Sequence, residues 1–331
     1  QGSALPGRLF CWGNNGSGEV GDGTTTARRT PYEVPSASGW NRVAMGSAST
    51  CAISGTGALW CWGRNDHGQL GQNDTAVYIG PMQVGGATDW SGVVIGDATA
   101  CAIRANTSVW CWGSDSQGQV GNGDPTGDVT APYEVFSAAS GHLWKKLSFG
   151  QEHVCALDMG GLLYCWGINS FGPFGGGALG DGTYDSATAP VRSVRGLEFA
   201  DVSAGSGDTC GITVGGSTLC WGSNVFGALG NGNTVPEWFF CFMSCVGVNS
   251  ATVSGANLSV VSGVWSACAI RRGGDLWCWG FSYFGELPLG SDSSSATPRK
   301  AGSGFTSLAM KATMFGGLGG CGIKADTTLW C

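Results

Sequence analysis

The segment CAISGTGALWCWG, residues 51–63, carries two cysteines ten residues apart, and the chain repeats this arrangement. Further copies begin at Cys101, Cys155, Cys210, Cys268 and Cys321. Self-similarity at a period of about 50 residues is typical of a propeller or a solenoid. The repeat therefore limits the fold class before any single residue is considered.

Each repeat contains the same ordered elements. A W-G-x4-G-x2-G loop, as at Gly63, Gly68 and Gly71, is followed by a proline-led segment such as PYEV (31–34). A segment opened by an aromatic residue, such as WNRVAMG from Trp40, then leads into the cysteine hairpin. Four short strands bounded by glycine and proline predict a propeller blade in an all-β protein. We expect the cysteine hairpin to form the outer half of the blade.

Composition narrows the classes of partner. Of the 331 residues, 42% are hydrophobic and 12% are charged, and the net charge is −7. The basic residues are scattered among repeats, whereas a nucleic-acid surface needs concentrated positive charge. The most apolar run, residues 238–248, is much shorter than the roughly 20 residues that a spanning helix needs. We therefore expect no nucleic-acid partner and no membrane span.

The constant cysteine spacing predicts disulfides. Facing residues of antiparallel strands have Cα atoms roughly 4.5–5.5 Å apart, within disulfide range. In a reduced compartment the same cysteines would serve as small buried hydrophobes. Zinc binding fits less well, because no histidine recurs with the pairs. The predicted pairs are Cys51–Cys61, Cys101–Cys111, Cys155–Cys165, Cys210–Cys220, Cys268–Cys278 and Cys321–Cys331.

Three of the 15 cysteines lie outside these pairs. Cys241 and Cys245 are predicted to form a local disulfide. Cys11 has no partner, because Gln1 occupies the position where its partner would stand. We interpret Cys11 as free or as paired with a cysteine beyond this chain, and we expect the chain to be truncated at its C-terminal end. This density of disulfides favours an extracellular or cell-surface location.

No pattern predicts catalysis, a cofactor or a metal. His67, His142 and His153 have no recurring acidic and nucleophilic neighbours, so a catalytic triad is not supported. The glycine loops recur without a following helix, which excludes a dinucleotide site. Four sequons, at Asn15, Asn73, Asn106 and Asn257, are candidate N-glycosylation sites, and we expect Asn15 and Asn106 to be exposed.

The longest departure from the repeat is a candidate interaction loop, residues 236–245. It places large apolar side chains where other repeats have small polar ones, and such patches mark interaction surfaces. The alternative is that the loop folds back over the propeller. Its candidate contact residues are Trp238, Phe239, Phe240, Phe242 and Met243.

The loops WGRNDHGQLG (62–71), WGSDSQGQVG (112–121) and WGNNGSGEVG (12–21) carry a family resemblance. They resemble the W-G-x-N-x-x-G-Q-L-G loop of the regulator of chromosome condensation repeat family. The resemblance implies a seven-bladed β-propeller as a single domain over residues 1–331, with six full repeats and an orphan strand at 9–13. In their cysteine pattern the repeats are similar to the propeller repeats in the secreted ectodomains of crinkly-type plant receptor kinases.

These observations lead to a non-enzymatic function. We expect an extracellular protein-interaction or assembly module of a larger secreted or surface protein, with a protein partner or itself as ligand. Two alternatives are a regulator of guanine-nucleotide exchange on a small GTPase, as the family implies, and a secreted enzyme inhibitor. A plant ultraviolet photoreceptor of this fold uses a tryptophan cluster within G-W-R-H-T repeats. Those repeats are absent here.

Overall fold

A computed structural model describes residues 7–170, 176–234, 256–282, 287–289, 294–310 and 320–330. In these residues the chain is strand and turn, with 3₁₀ turns at Ala138–Ser140 and Val225–Gly227. The chain divides into two compact units, Gln1–Leu147 and Ser148–Cys331, each with its own hydrophobic clusters. The predicted all-β class is confirmed.

The first unit contains ten complete strands and the start of an eleventh. The strands are β1 (Leu9–Gly13), β2 (Arg28–Val34), β3 (Trp40–Met45), β4 (Ser49–Ser54), β5 (Leu59–Gly63), β6 (Tyr78–Gln83), β7 (Trp90–Ile95), β8 (Thr99–Arg104), β9 (Val109–Gly113), β10 (Val129–Phe136) and β11 (Trp144–Phe149). Strands β3, β7 and β11 each open on tryptophan, as the sequence predicts.

The second unit continues the same order. Its strands are β12 (His153–Asp158), β13 (Leu163–Gly167), β14 (Ala187–Arg192), β15 (Phe199–Ala204), β16 (Asp208–Thr213), β17 (Thr218–Gly222), β18 (Asn257–Ser262), β19 (Ser266–Arg271), β20 (Leu276–Gly280), β21 (Ser295–Gly302), β22 (Phe305–Met310), β23 (Gly320–Lys324) and β24 (Leu329–Trp330).

The strands form antiparallel sheets, the blades of a propeller, in chain order. They are β1-β2, β3 to β6, β7 to β10, β11 to β14, β15 to β17, β18 to β21 and β22 to β24. The prediction that the cysteine hairpin forms the outer half of a blade is wrong. In the four-stranded sheets the hairpin forms the two central strands. The reason is that the proline-led strand returns to the same sheet after the glycine loop, as β6 does beside β5. The number of blades, seven by the family resemblance, remains a prediction.

In five of the described sheets the last strand carries a proline at a register shift. Proline has no N–H to donate to a neighbouring strand, so within sheets it is found on edge strands and at bulges. The strands β2, β6, β10, β14 and β21 each contain one, namely Pro31, Pro81, Pro132, Pro190 and Pro298. The proline-led segments of the sequence thus form the last strand of these sheets, with the proline at a break in the pairing.

A buried asparagine shapes four of the glycine loops, and Asp115 and Ser282 accept the corresponding hydrogen bond in two others. The Asn65 side chain accepts a hydrogen bond from the Leu70 N–H (2.9 Å) and donates to the carbonyl oxygen of Asp74 (3.1 Å). Asn15, Asn169 and Asn224 occupy the same position and accept the corresponding bond. An amide both donates and accepts, so one side chain satisfies backbone groups on both arms of the loop.

A tryptophan from the Cys-Trp-Gly triplet packs onto the glycine loop of the preceding blade. Trp62 is fully buried, and its Nε1–H donates to the Glu19 carbonyl oxygen at 3.0 Å. A Cβ atom at Gly21 would lie 2.6 Å from Trp62 Nε1, so only glycine fits there. Equivalent hydrogen bonds run from Trp112 to Gln69, from Trp221 to Ala178 and from Trp279 to Ala228.

The contact between Gly21 and Trp62 can be isolated by two matched substitutions. Gly21 and Gly23 have φ angles of +79° and +78°, but a Cβ at Gly23 meets nothing within 4 Å. We expect Gly23→Ala to lower the free energy of unfolding by about 1 kcal/mol through backbone strain alone. Gly21→Ala adds the displacement of the indole and is expected to cost about 2–4 kcal/mol. Urea denaturation of both variants measures the difference, and equal losses would contradict the packing role.

Candidate functional site

Five cysteine pairs face each other across the central hairpins. Cys51 lies directly opposite Cys61, with Cα atoms 4.1 Å apart and the two sulfurs at disulfide-bonding distance. The same geometry recurs at Cys101–Cys111, Cys155–Cys165, Cys210–Cys220 and Cys268–Cys278. All ten cysteines are buried. Each pair therefore lies inside a blade, where it links the two central strands.

The remaining predicted pairs involve residues that the structure does not describe. Cys321 is a disulfide cysteine, and its predicted partner, Cys331, lies outside the described residues. Cys241 and Cys245 lie outside them as well, together with the candidate loop at 236–245 and its contact residues Trp238, Phe239, Phe240, Phe242 and Met243.

Cys11 is a buried free thiol at the centre of β1. Cys11 is 6% exposed, and Tyr32 of β2 lies opposite it in the strand pair. Burial raises the pKa of the Cys11 thiol to about 11. At neutral pH the group is therefore a thiol rather than the nucleophilic thiolate, which argues against a catalytic role.

The sequons divide into exposed and buried pairs. Asn73 and Asn106 are exposed, and each lies in a turn. The expectation that Asn15 is exposed is wrong, because its side chain is fully buried and donates to Asp22, Thr24 and Thr26. Asn257 is also buried and donates to the Gly216 carbonyl oxygen. Neither buried amide is available to a glycosylating enzyme in the folded chain.

The three histidines occupy unrelated environments. His67 Nδ1 lies 2.8 Å from Asp128 Oδ2 at the surface, and the His142 ring packs on Trp144. His153 is buried, its Nε2 lies 2.8 Å from Thr209 Oγ1, and burial lowers its pKa to about 4. No histidine in the described part of the chain stands between an acid and a nucleophile.

Metal-ligating clusters and membrane-spanning helices are both absent from the residues that the structure describes. Their histidine, cysteine and acidic side chains form no group of three or more that could hold a metal ion. No helix among them is long and apolar enough to cross a membrane.

Sequence reasoning missed a buried acid between two blades of the second unit. Asp208 begins β16, is 1% exposed, and accepts a hydrogen bond from the Ser262 hydroxyl of β18. Burial raises the pKa of Asp208 to about 7, against the opposing effect of that hydrogen bond. The available signal was its position two residues before a paired cysteine, where Ser49 and Ser266 stand in other blades.

This buried carboxyl predicts a pH-dependent stability. The folded-state pKa of about 7 exceeds the ordinary value of 3.8, so the folded chain binds more protons between these values. The free energy of unfolding therefore falls as the pH rises through this window. We expect Asp208→Asn to raise it above pH 7 by about 1–3 kcal/mol and to lose this advantage below pH 4.

Urea denaturation at pH 4, 6 and 8 tests the expectation. Asp185→Asn is the matched control, because Asp185 is exposed and its substitution should change the free energy of unfolding by less than about 0.5 kcal/mol. A gain of the same size at every pH for Asp208→Asn would contradict a buried, titrating carboxyl.

Family models match the first half of the chain. The regulator of chromosome condensation (RCC1) repeat matches residues 6–53, 56–103 and 107–157. A second model of this repeat matches residues 40–69 and 144–172. The matched segments contain the glycine loops and cysteine hairpins described above.

Two curated relatives align with part of the chain. The ultraviolet-B receptor UVR8 of Arabidopsis thaliana is 28% identical over 170 residues, which are 50% of this chain and 36% of the receptor. The E3 ubiquitin-protein ligase HERC2 of Homo sapiens is 28% identical over 155 residues, 45% of this chain and 3% of the ligase. The alignments thus span well under two thirds of either relative.

Solved structures share the fold over most of the chain. Human WBSCR16 has a TM-score of 0.76 at 18% identity, covering 97% of this chain and 87% of that one. Prp20p of Saccharomyces cerevisiae has a TM-score of 0.71 at 20% identity, covering 89% and 73%. The crinkly ectodomain of the Arabidopsis thaliana receptor kinase ACR4 has a TM-score of 0.51 at 20% identity, covering 89% and 80%. The matched segments in the first half of the chain are thus regulator of chromosome condensation (RCC1) repeats, and the chain shares the propeller fold of these solved structures.

Proposed function

We propose that this chain is a non-enzymatic, extracellular protein-interaction module built on disulfide-linked blades. The observation that carries the proposal is the set of five buried cysteine pairs, each facing across a hairpin at bonding distance. A propeller without a catalytic constellation in its described residues is suited to binding. The stability of its blades leaves the loops between strands available for specific contacts.

The proposed extracellular location follows from the chemistry of the cysteine pairs. Disulfides persist in oxidising environments and are rare where thioredoxin and glutathione keep thiols reduced. Packing alone requires a small apolar residue at each position, which alanine supplies equally well. Facing cysteines in five successive hairpins are instead what disulfide formation requires. Likeness to a receptor-kinase ectodomain agrees with this location at the level of the fold.

The proposed partner is another protein or a second copy of this chain. The lysines and arginines are scattered along the sequence, and the chain carries a net charge of −7. The candidate loop at 236–245 offers the densest apolar sequence for such a contact. If the protein is secreted, Asn73 and Asn106 are the sequons that the fold leaves open to glycosylation.

Regulation of a small GTPase is the second candidate. One neighbour in fold, yeast Prp20p, is described with binding properties to Gsp1p and histones. That activity belongs to a compartment in which the five pairs would be reduced, so the redox state of the cysteines separates the two candidates. A secreted inhibitor of an enzyme remains an alternative within the extracellular proposal.

The redox state is tested by intact mass after alkylation in denaturant. In protein trapped with iodoacetamide at its native location, we expect every cysteine except Cys11 to resist labelling before reduction and all 15 cysteines to be labelled after it. Reduction should also destabilise each blade, since closing a loop of this length contributes about 2–3 kcal/mol. Labelling of the five facing pairs without reductant would contradict the extracellular proposal and favour the GTPase candidate.

The contact role of the loop is tested by a paired substitution. We expect the double variant Trp238→Ala and Phe239→Ala to weaken self-association at least tenfold, because large aromatic side chains supply most of the energy of an interface. The control is Met159→Ala with Val214→Ala, which removes exposed apolar side chains elsewhere. Sedimentation velocity over a concentration series measures both variants. If both variants self-associate equally strongly, the loop has a structural role rather than a contact role.

A further inference from the structure

One of the five described cysteine pairs has a buried acid beside it. Asp208 begins β16, two residues before Cys210, and is 1% exposed. Cys210 and Cys220 are both fully buried. At the position of the acid, the other hairpins that the structure describes carry serine, threonine or histidine, namely Ser49, Thr99, His153 and Ser266. The carboxyl therefore distinguishes this disulfide from the other four.

A hydroxyl group from the next blade connects the acid with the disulfide. Ser262, the last residue of β18, hydrogen-bonds Asp208 Oδ2, and its Oγ lies 3.9 Å from Cys210 Sγ in a hydrogen-bond contact to sulfur. The first strands of the other described blades end on apolar residues, namely Met45, Ile95, Phe149, Ala204 and Met310. Two departures from the repeat thus meet at one disulfide.

The three groups form a path along which a proton can reach Cys210. A protonated carboxyl has one O–H to donate, and a hydroxyl both donates and accepts. When Asp208 is protonated, it donates to Ser262 Oγ, and the Ser262 O–H is then free to point at Cys210 Sγ. Burial raises the pKa of Asp208 to about 7, so near neutral pH the proton is present and can also be released.

The other charged or titratable side chains near this path have different partners or positions. His153 of β12 lies 2.8 Å from the Thr209 hydroxyl through its Nε2, and Asp201 of β15 accepts a hydrogen bond from the backbone of β18. Asp158 lies at the opposite end of β12. Strands β17 and β18 carry no acidic, basic or histidine residue. Asp208 is thus the group whose proton the path transfers.

We propose that Cys210–Cys220 is a redox-active pair, which a protein dithiol reduces in preference to the other described disulfides, and that Asp208 and Ser262 deliver a proton to Cys210. Attack falls on Cys220, because Cys210 is then the departing sulfur beside its proton donor. The rate of exchange depends on how well the departing thiolate is stabilised. General acid help of this kind contributes roughly 10²–10⁴-fold.

The reaction consists of two thiol–disulfide exchanges. A thiolate of the dithiol attacks Cys220 Sγ, the bond to Cys210 breaks, and its electron pair remains on Cys210 Sγ. That sulfur takes the Ser262 proton, and Ser262 takes the proton of Asp208. The second thiol of the reductant then attacks its own sulfur in the mixed disulfide and releases Cys220. The two protons that the dithiol loses restore Asp208 and protonate Cys220, so two electrons and two protons pass to the pair.

The geometry favours a dithiol over a monothiol as the reductant. The Cα atoms of Cys210 and Cys220 are 4.1 Å apart, so Cys210 can attack a mixed disulfide on Cys220 and expel a monothiol. A dithiol completes the reduction by closing its own disulfide. The inference shares with the proposed function only the formation of the disulfide, and it holds in either compartment, so each can fail without the other.

Dithiothreitol is the probe for the preference among the disulfides. Protein with its disulfides formed is treated with the reductant, quenched with acid, alkylated in denaturant and mapped by mass spectrometry. We expect Cys210–Cys220 to be reduced at least about tenfold faster than Cys155–Cys165, which lies in the same unit and has His153 and Ala204 in place of the relay. Glutathione at equal thiol concentration should leave both pairs oxidised. Equal rates for the two pairs would overturn the proposal.

Two variants separate the relay from local opening of the blade, which also governs access to buried sulfurs. Ser262→Ala leaves the buried carboxyl of Asp208 without its hydroxyl partner, so opening alone would speed the reduction of Cys210–Cys220. The relay predicts a reduction at least about tenfold slower. The control is Ser203→Ala, which removes the bond that Ser203 Oγ accepts from the Ser262 N–H and leaves the relay in place. Slowing by the control to the same extent would contradict the relay.

The pH dependence gives a second readout that needs no variant to fold. The ratio of the two reduction rates cancels the ionisation of dithiothreitol. Because the relay needs protonated Asp208, the ratio should fall about tenfold between pH 6 and pH 8, and it should stay level in Asp208→Asn. Opening alone predicts a rise, since the free energy of unfolding falls as this carboxyl ionises. A ratio that rises with pH in the wild-type protein would refute the proposal.

Discussion

The contact on which the rest of the structure depends is the one between a buried tryptophan and the glycine loop of the preceding blade. It requires three things of the sequence at once: an indole N–H to donate, a loop carbonyl oxygen to accept, and a glycine such as Gly71, where a Cβ would lie 2.9 Å from Trp112 Nε1. A single blade cannot satisfy its own tryptophan. Stability therefore comes from neighbouring repeats, as in other repeat proteins, and within each unit the blades bury one another.

The hairpin cysteines and the loop asparagines serve a different purpose, since they act inside one blade. A facing cysteine pair joins the two central strands, and Asn65 connects both arms of the loop that receives the next tryptophan. A blade that is fixed internally presents its loop carbonyl in a constant place. The internal contacts thus set the geometry that the contact between blades requires, and this explains why all three features repeat together.

Much of this could be predicted from the sequence, because the repeat displays each local rule several times. The strand openings at Trp40 and Trp90 and the facing cysteines follow from spacing alone. The place of the hairpin within the blade could not, since it depends on which strand the proline-led segment pairs with. Asn15 looks like an exposed sequon because its burial depends on the loop that folds around it. Asp208 could not be singled out, because the burial that raises its pKa depends on how the blades pack.

The same dependence between blades gives meaning to the residues at the first sheet. In a protein whose repeats bury one another, an exposed member of a usually buried set indicates a missing neighbour rather than tolerance of exposure. Trp12 and Met45 belong to such sets, at 54% and 63% exposed, and Cys11 is a free thiol where five other blades have a facing pair. Exposed apolar residues scattered singly need no explanation. Here they fall at repeat positions that contact between blades buries elsewhere in the chain, as at Trp62 and Val260, so packing between blades rather than the residue type decides their exposure.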